Sequence, residues 1–162
     1  MSERDVLLVE EGFRGFDIGE FPFDREHSAM GEYHLYPLKG NCGIWYDPVT
    51  NYNYRGPSWI ITEDEGKHFM EQMRVDTENP HKMFPMLMAG EIQWKDYTVK
   101  TKLRMLNTKG SAGIGICALN SLNMLALVFE SNRLRLIHRH KEEEYVLKEV
   151  EFSYDCDTFY EV

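Results

Sequence analysis

Long apolar runs are missing from this sequence: no stretch approaches the roughly 18 residues needed to cross a bilayer as a helix. Cysteine is scarce. Cys42, Cys117 and Cys156 are odd in number and widely spaced, which argues against a disulfide framework. No C-x-x-C pair occurs, so a structural zinc knuckle is unsupported. Basic charge is also short, with 18 Lys and Arg against 27 Asp and Glu and a net charge of -9. Such a surface repels phosphate backbones and anionic membranes, so neither nucleic acid nor membrane is expected as a partner. The densest basic cluster, Arg133, Arg135, His138, Arg139, His140 and Lys141, runs directly into Glu142, Glu143 and Glu144, which largely cancel its field. The opening MSERDVLLVEEGF has no basic segment followed by an apolar one. It therefore reads as cytoplasmic, unless a signal peptide once preceded it. There is no fixed-period repeat and no low-complexity tract.

What is present suits one globular domain. The chain has 162 residues, 43% hydrophobic and 28% charged, a size that buries about two-thirds of the unfolded surface. Aromatics are rich, at 13%. Residues 6–13 suggest a first short strand. Region 14–57 is dense in Gly and Pro, which leaves no room for a long helix, yet its many aromatics predict an ordered, packed segment. From residue 58 the strand signal sharpens. Residues 58–63 and 67–74 read as a hairpin across Asp64-Glu65-Gly66. Residues 82–88 read as an edge strand or bulge at Pro85. The cleanest alternation is in 94–106, with Tyr97, Val99, Thr101, Leu103 and Met105 on one face. Further strands are expected at 112–119, 123–129 (apolar on both faces, hence central), 133–138 and 144–152. Residues 141–151 also carry helix-forming residues, but short connections to neighbouring strands favour a strand. Turn signals every 8–12 residues predict an all-β antiparallel sandwich with little or no helix.

The second half carries a recognisable order: W-K-D-Y-T-V at 94–99, G-I-G-I at 113–116, an apolar strand at 123–129, R-L-R-L at 133–136 and D-x-F-Y-E-V at 157–162. This order resembles the concanavalin A-like lectin/glucanase superfamily, closest to the laminin-G-like domains of bacterial carbohydrate-active proteins known as the 3-keto-disaccharide hydrolase group. SWIITEDEGKHFMEQ at 58–72 is similar to the opening hairpin of that family. The resemblance covers roughly 94–162. It implies one jelly-roll domain over 1–162 with a carbohydrate as partner, and says little about activity. Segment 14–57 departs from the family pattern. Family members also continue for two or more strands beyond the position of Val162. The resemblance therefore implies that the 157–162 edge is covered by a longer parent protein, by a second copy or another chain, or by a rearranged front end of this chain.

The best candidate site is aromatic: Trp45, Tyr46, Tyr52, Tyr54 and Trp59, with Asp47, Asn51, Asn53 and Arg55 beside them. Flat rings stack on the CH-rich faces of sugars while polar neighbours bond hydroxyls. The alternative is that these rings anchor a long loop to the core. The acid pair that laminarinases of this superfamily carry as E-x-D-x-x-E or E-x-D-x-E is missing, so catalytic residues are unassigned. A sugar-cleaving enzyme would have to assemble acids from distant strands, such as Glu32, Asp47, Glu71 and Glu130. Residues 142–151 read as a solvated charged face, and Asp155 and Asp157 as a turn into the last strand. His138 and His140 share one face and could bind a metal with His27 or His34, but lack acid or Cys partners at fixed spacing. No cofactor is expected: calcium, common in the superfamily, is the one the resemblance leaves open, but no D-x-D-x-D-G loop is present to hold it. Cys117 reads as a core residue of its strand. The expectation is a carbohydrate-associated jelly-roll domain, glycan-binding or accessory to a sugar-cleaving enzyme. The alternatives are a glycoside hydrolase and an assembly domain that completes its sheet with another chain.

Overall fold

A computed structural model describes residues 6–20, 44–45, 59–73, 86–141 and 143–162. Among these residues there is no helix, and the strands pair antiparallel throughout. The all-β expectation holds at that level. The chain divides into two compact units. In described residues, the first comprises 6–20, 44–45, 59–73 and 86–91, and the second comprises 92–141 and 143–162.

The first unit is a three-stranded sheet in the order β1-β2-β3, made of β1 (Gly19–Glu20), β2 (Trp59–Asp64) and β3 (Lys67–Gln72). The β2–β3 hairpin forms where the sequence placed it. Glu65 and Gly66 both adopt positive φ, 50° and 74°, the backbone that a two-residue turn needs to match strand twist. Ile61 and Phe16 are buried, and Phe13, Trp45, Trp59, Met70 and Leu87 pack around them.

The second unit holds β4 (Lys102–Arg104), β5 (Ser111–Asn120), β6 (Asn123–Glu130), β7 (Arg133–His140), β8 (Glu143–Glu151) and β9 (Phe159–Glu161). Strands β5-β6-β7-β8 form a meander in that order, while β4 and β9 form a separate pair. Of the ambiguous 141–151 segment, Glu143–Glu151 is a strand. As expected, β6 lies between neighbours on both sides and carries the buried Ala126 and Phe129. Phe129, 1% exposed, is ringed by Phe152, Tyr154 and Tyr160 at centroid distances of 5.8, 5.9 and 5.9 Å. Two of these contacts are edge-to-face, the arrangement the ring quadrupole favours. Met105, Leu103, Leu134 and Val162 complete this core.

Three local expectations are corrected. Of the alternating segment 94–106, only Lys102–Arg104 is strand. Asp96 takes a left-handed backbone (φ 54°) that breaks the extended run, and the partner β9 is only 3 residues long. One further backbone pair, Thr101 with Val162, prolongs that ladder. Residues 6–13 form no strand and leave Val6 and Leu7 largely exposed. Cys117 lies on β5 but is exposed, because the pairing with β6 shifts between Ile116 and Asn120 and Cys117 itself turns to φ 50°.

One face of the meander is held by charge. Arg135, 19% exposed at its side chain, meets Glu130 at 2.5 Å, Glu144 at 3.0 Å and Glu149 at 3.5 Å, and Arg133 adds a contact to Glu149 at 2.9 Å. Burial pulls the Arg135 guanidinium pKa down, but Glu130 and Glu144 more than offset it and hold it above the usual range. Replacing Arg135 with Met leaves these carboxylates crowded without their shared cation. The expected loss is about 1–2 kcal/mol, kept modest because the acids are partly solvated. Urea unfolding at low and at 1 M salt checks this, and the deficit should shrink at high salt.

Candidate functional site

An open depression of about 410 Å³ lies in the second unit, lined by Cys117, Leu119, Asn123, Met124, Leu125, His138, Arg139, His140 and Leu147. Strand register creates it. Leu125 of β6, His138 of β7 and Tyr145 of β8 stand side by side, as do Asn123, His140 and Glu143 one step along. Residues two apart on a strand point to the same face, so His138 and His140 present adjacent rings, with centroids 6.3 Å apart. The Tyr145 ring lies 6.1 Å from His138, tilted by 31°. At the far end of the same face, Phe129 and Leu134 are covered by the aromatic core, whereas this end is open.

The polar groups at this end are mostly held in place. The Asn123 side-chain amide donates to Asn120 Oδ1 at 2.9 Å, and Asn123 Oδ1 accepts from the Lys141 N–H at 3.3 Å. The Tyr145 hydroxyl donates to the Glu143 carboxylate, and that hydrogen bond, with the adjacent negative charge, raises the phenol pKa. At the β5 bulge the Tyr97 hydroxyl accepts from the Cys117 N–H at 2.8 Å and points towards Sγ at 3.7 Å. Burial is the main reason its pKa is raised. Arg139, 3% exposed, donates from Nη1 to the Ser121 carbonyl at 3.5 Å, and burial lowers its pKa against the opposing pull of Glu144. The depression thus offers ring faces, aliphatic surface and hydrogen-bonding groups side by side, with no acid among the described residues that line it.

Among the described residues no three His, Cys, Asp or Glu side chains are grouped to hold a metal ion. The suggested third ligands His27 and His34 lie outside the described residues. Of the aromatic candidates, Tyr46, Tyr52 and Tyr54 lie outside them too, as do Asp47, Arg55, Asn51 and Asn53. Trp45 and Trp59 both pack into the core of the first unit, and Trp45 stacks on Phe13 at 5.7 Å and 25°. Both indole nitrogens are buried, with no hydrogen-bond partner among the described residues. Glu32 and Asp47 are outside the described residues. Glu71 lies in the first unit, and Glu130, in the second, is bound by Arg135.

The two-residue spacing of His138 and His140 pointed to a shared face, and the observed strand Arg133–His140 includes both. The depression itself was not legible, since it depends on which end of the sheet is covered. No helix of the described residues is long and apolar enough to cross a membrane. Comparison of the chain with protein-family models, with curated proteins and with solved structures finds no match.

Proposed function

We propose that this chain is a carbohydrate-associated domain of the jelly-roll, concanavalin A-like type, and that it binds a glycan across the open end of the β6–β7–β8 face. One observation carries the reading: the His138 and His140 rings, the Leu125 and Leu147 side chains and the Asn123 amide all border one open depression. Sugars need both kinds of surface at once, flat apolar area for CH faces and fixed donors for hydroxyls. A shallow, open site also suits part of a chain better than a small enclosed metabolite. The described lining offers no carboxylate to calcium, so calcium enters only as a variable of the test. Tyr46, Tyr52 and Tyr54, outside the described residues, remain a second candidate surface for the same ligand class, whereas Trp45 and Trp59 pack the core of the first unit.

The test is a thermal-shift screen against neutral and acidic oligosaccharides and polysaccharides, with and without calcium. A ligand at 100 times its dissociation constant adds about 2.7 kcal/mol. For any hit, calorimetric titration of His138→Ala is expected to weaken binding by about tenfold, the value of one hydrogen bond or ring contact of about 1.4 kcal/mol. Trp45→Ala should instead lower stability and leave affinity for the folded protein unchanged. Silence across the whole panel, or full affinity in His138→Ala, would sink this assignment.

A further inference from the structure

The two edges of the meander are built differently. The β8 edge is guarded: its 9 residues include Glu143, Glu144, Lys148, Glu149 and Glu151, and its pairing with β7 shifts opposite Leu136 and Ile137. Charges and bulges are the usual devices that keep a sheet edge from pairing with another chain. The β5 edge has no such charge. Its 10 residues, SAGIGICALN, include no charged side chain and no proline, in a chain that is 28% charged. Residues Ser111 to Ile116 pair with β6 in unbroken register, and the irregularity begins only after Ile116. Among the described residues no strand pairs with the side of β5 facing away from β6. Ser111, Ala112, Gly113 and Ile116 are exposed.

We propose that β5 is an assembly edge that pairs antiparallel with β5 of a second copy of this chain. A second copy is the occupant that the charge pattern favours. An uncharged strand meets itself without like-charge contact in any register, whereas β8 against β8 would confront glutamates at its ends. Pairing about Ile114 sets Gly113 opposite Gly115 and Ala112 opposite Ile116. It stops short of the bulge at Cys117 and joins two four-stranded sheets into one. Such a short ladder buries less than the roughly 1,600 Å² of a standard interface, so the dimer is weak and depends on concentration.

Sedimentation velocity of the full chain from about 5 μM to about 1 mM tests this. The weight-average mass should climb towards the dimer value over that range. Ala112→Lys and Ile116→Lys place charge on residues already exposed in the monomer. Each should hold the protein at monomer mass, with an unchanged circular dichroism spectrum reporting intact folding. Val146→Lys, on exposed β8, should dimerise like the parent. Amide exchange of residues 111–116 should slow as concentration rises. A monomer at every concentration overturns the proposal, and so does a dimer that Ala112→Lys and Ile116→Lys leave intact.

Discussion

Phe129→Ala is expected to be among the most damaging single substitutions in the described residues, costing about 3–5 kcal/mol. Phe129 is 1% exposed and sits among three aromatic rings supplied by β9 and the segment leading to it. Truncation removes the transfer energy of the ring and the edge-to-face contacts, each worth about 0.5–1.5 kcal/mol. It also leaves a void that these neighbours cannot easily fill. Tyr160 is fixed by the backbone pairing of β9 with β4, and its hydroxyl accepts from the Asp155 N–H at 2.7 Å. Against a usual stability of 5–15 kcal/mol, such a loss shifts the melting temperature of a chain this long by roughly 6–20 °C. Differential scanning calorimetry or urea unfolding measures it. Phe129→Leu should retain more than half of the lost stability. A loss under about 1 kcal/mol for the alanine variant would mean that this cluster is not the core of the second unit.

The second large effect concerns a residue that contributes no side chain. A Cβ built on Gly113 would stand 2.0 Å from the Leu127 carbonyl oxygen, 2.9 Å from its carbon and 3.0 Å from Val128 Cα. All three atoms are backbone of β6, so no rotamer change relieves the clash. Gly113→Ala must push β5 away from β6 and break the ladder that runs from Ser111–Glu130 to Ile116–Leu125. The expected cost is about 3 kcal/mol, at the upper end of overpacking effects. Gly110→Ala is the matched control: a Cβ there meets nothing within 4 Å, so little change is expected. If the two alanines behave alike in chemical denaturation, the close approach of β5 to β6 at this point is wrong. Because Gly113 lies inside the proposed assembly edge, its failure also predicts loss of self-association, unlike Ala112→Lys, which should spare the fold.

Turn chemistry was the most legible part of the fold. Asp64-Glu65-Gly66 and Ser131-Asn132 are local signals, and each closes a hairpin within a residue or two of where it was expected. The central place of β6 was legible because strands that are apolar on both faces are usually interior ones. The failures came from partners. The alternation of 94–106 says that the segment could be a strand, but a strand needs a neighbour, and β9 offers one only to Lys102–Arg104. Cys117 looked like core because a bulge leaves no trace in the apolar pattern. Trp45 and Trp59 illustrate the limit for sites: an aromatic that packs a core and one that stacks on a ligand are written with the same letter. The His138–His140 face was visible as spacing, while its openness depends on the covered and uncovered ends of the sheet.

The turn at Ser131 and Asn132, with φ of 46° and 62°, has a consequence for how the chain reaches its structure. Both residues already hold the left-handed backbone that a tight hairpin requires, so closing β6 on β7 costs little loop entropy and secures eight consecutive residue pairs. The Lys102–Glu161 pairing spans nearly the whole second unit and must wait until the segments between have condensed. The order of events is thus written into one dipeptide. Substitutions at Leu127 or Leu136, in the hairpin, should slow folding, whereas those at Leu103 or Tyr160 should chiefly speed unfolding.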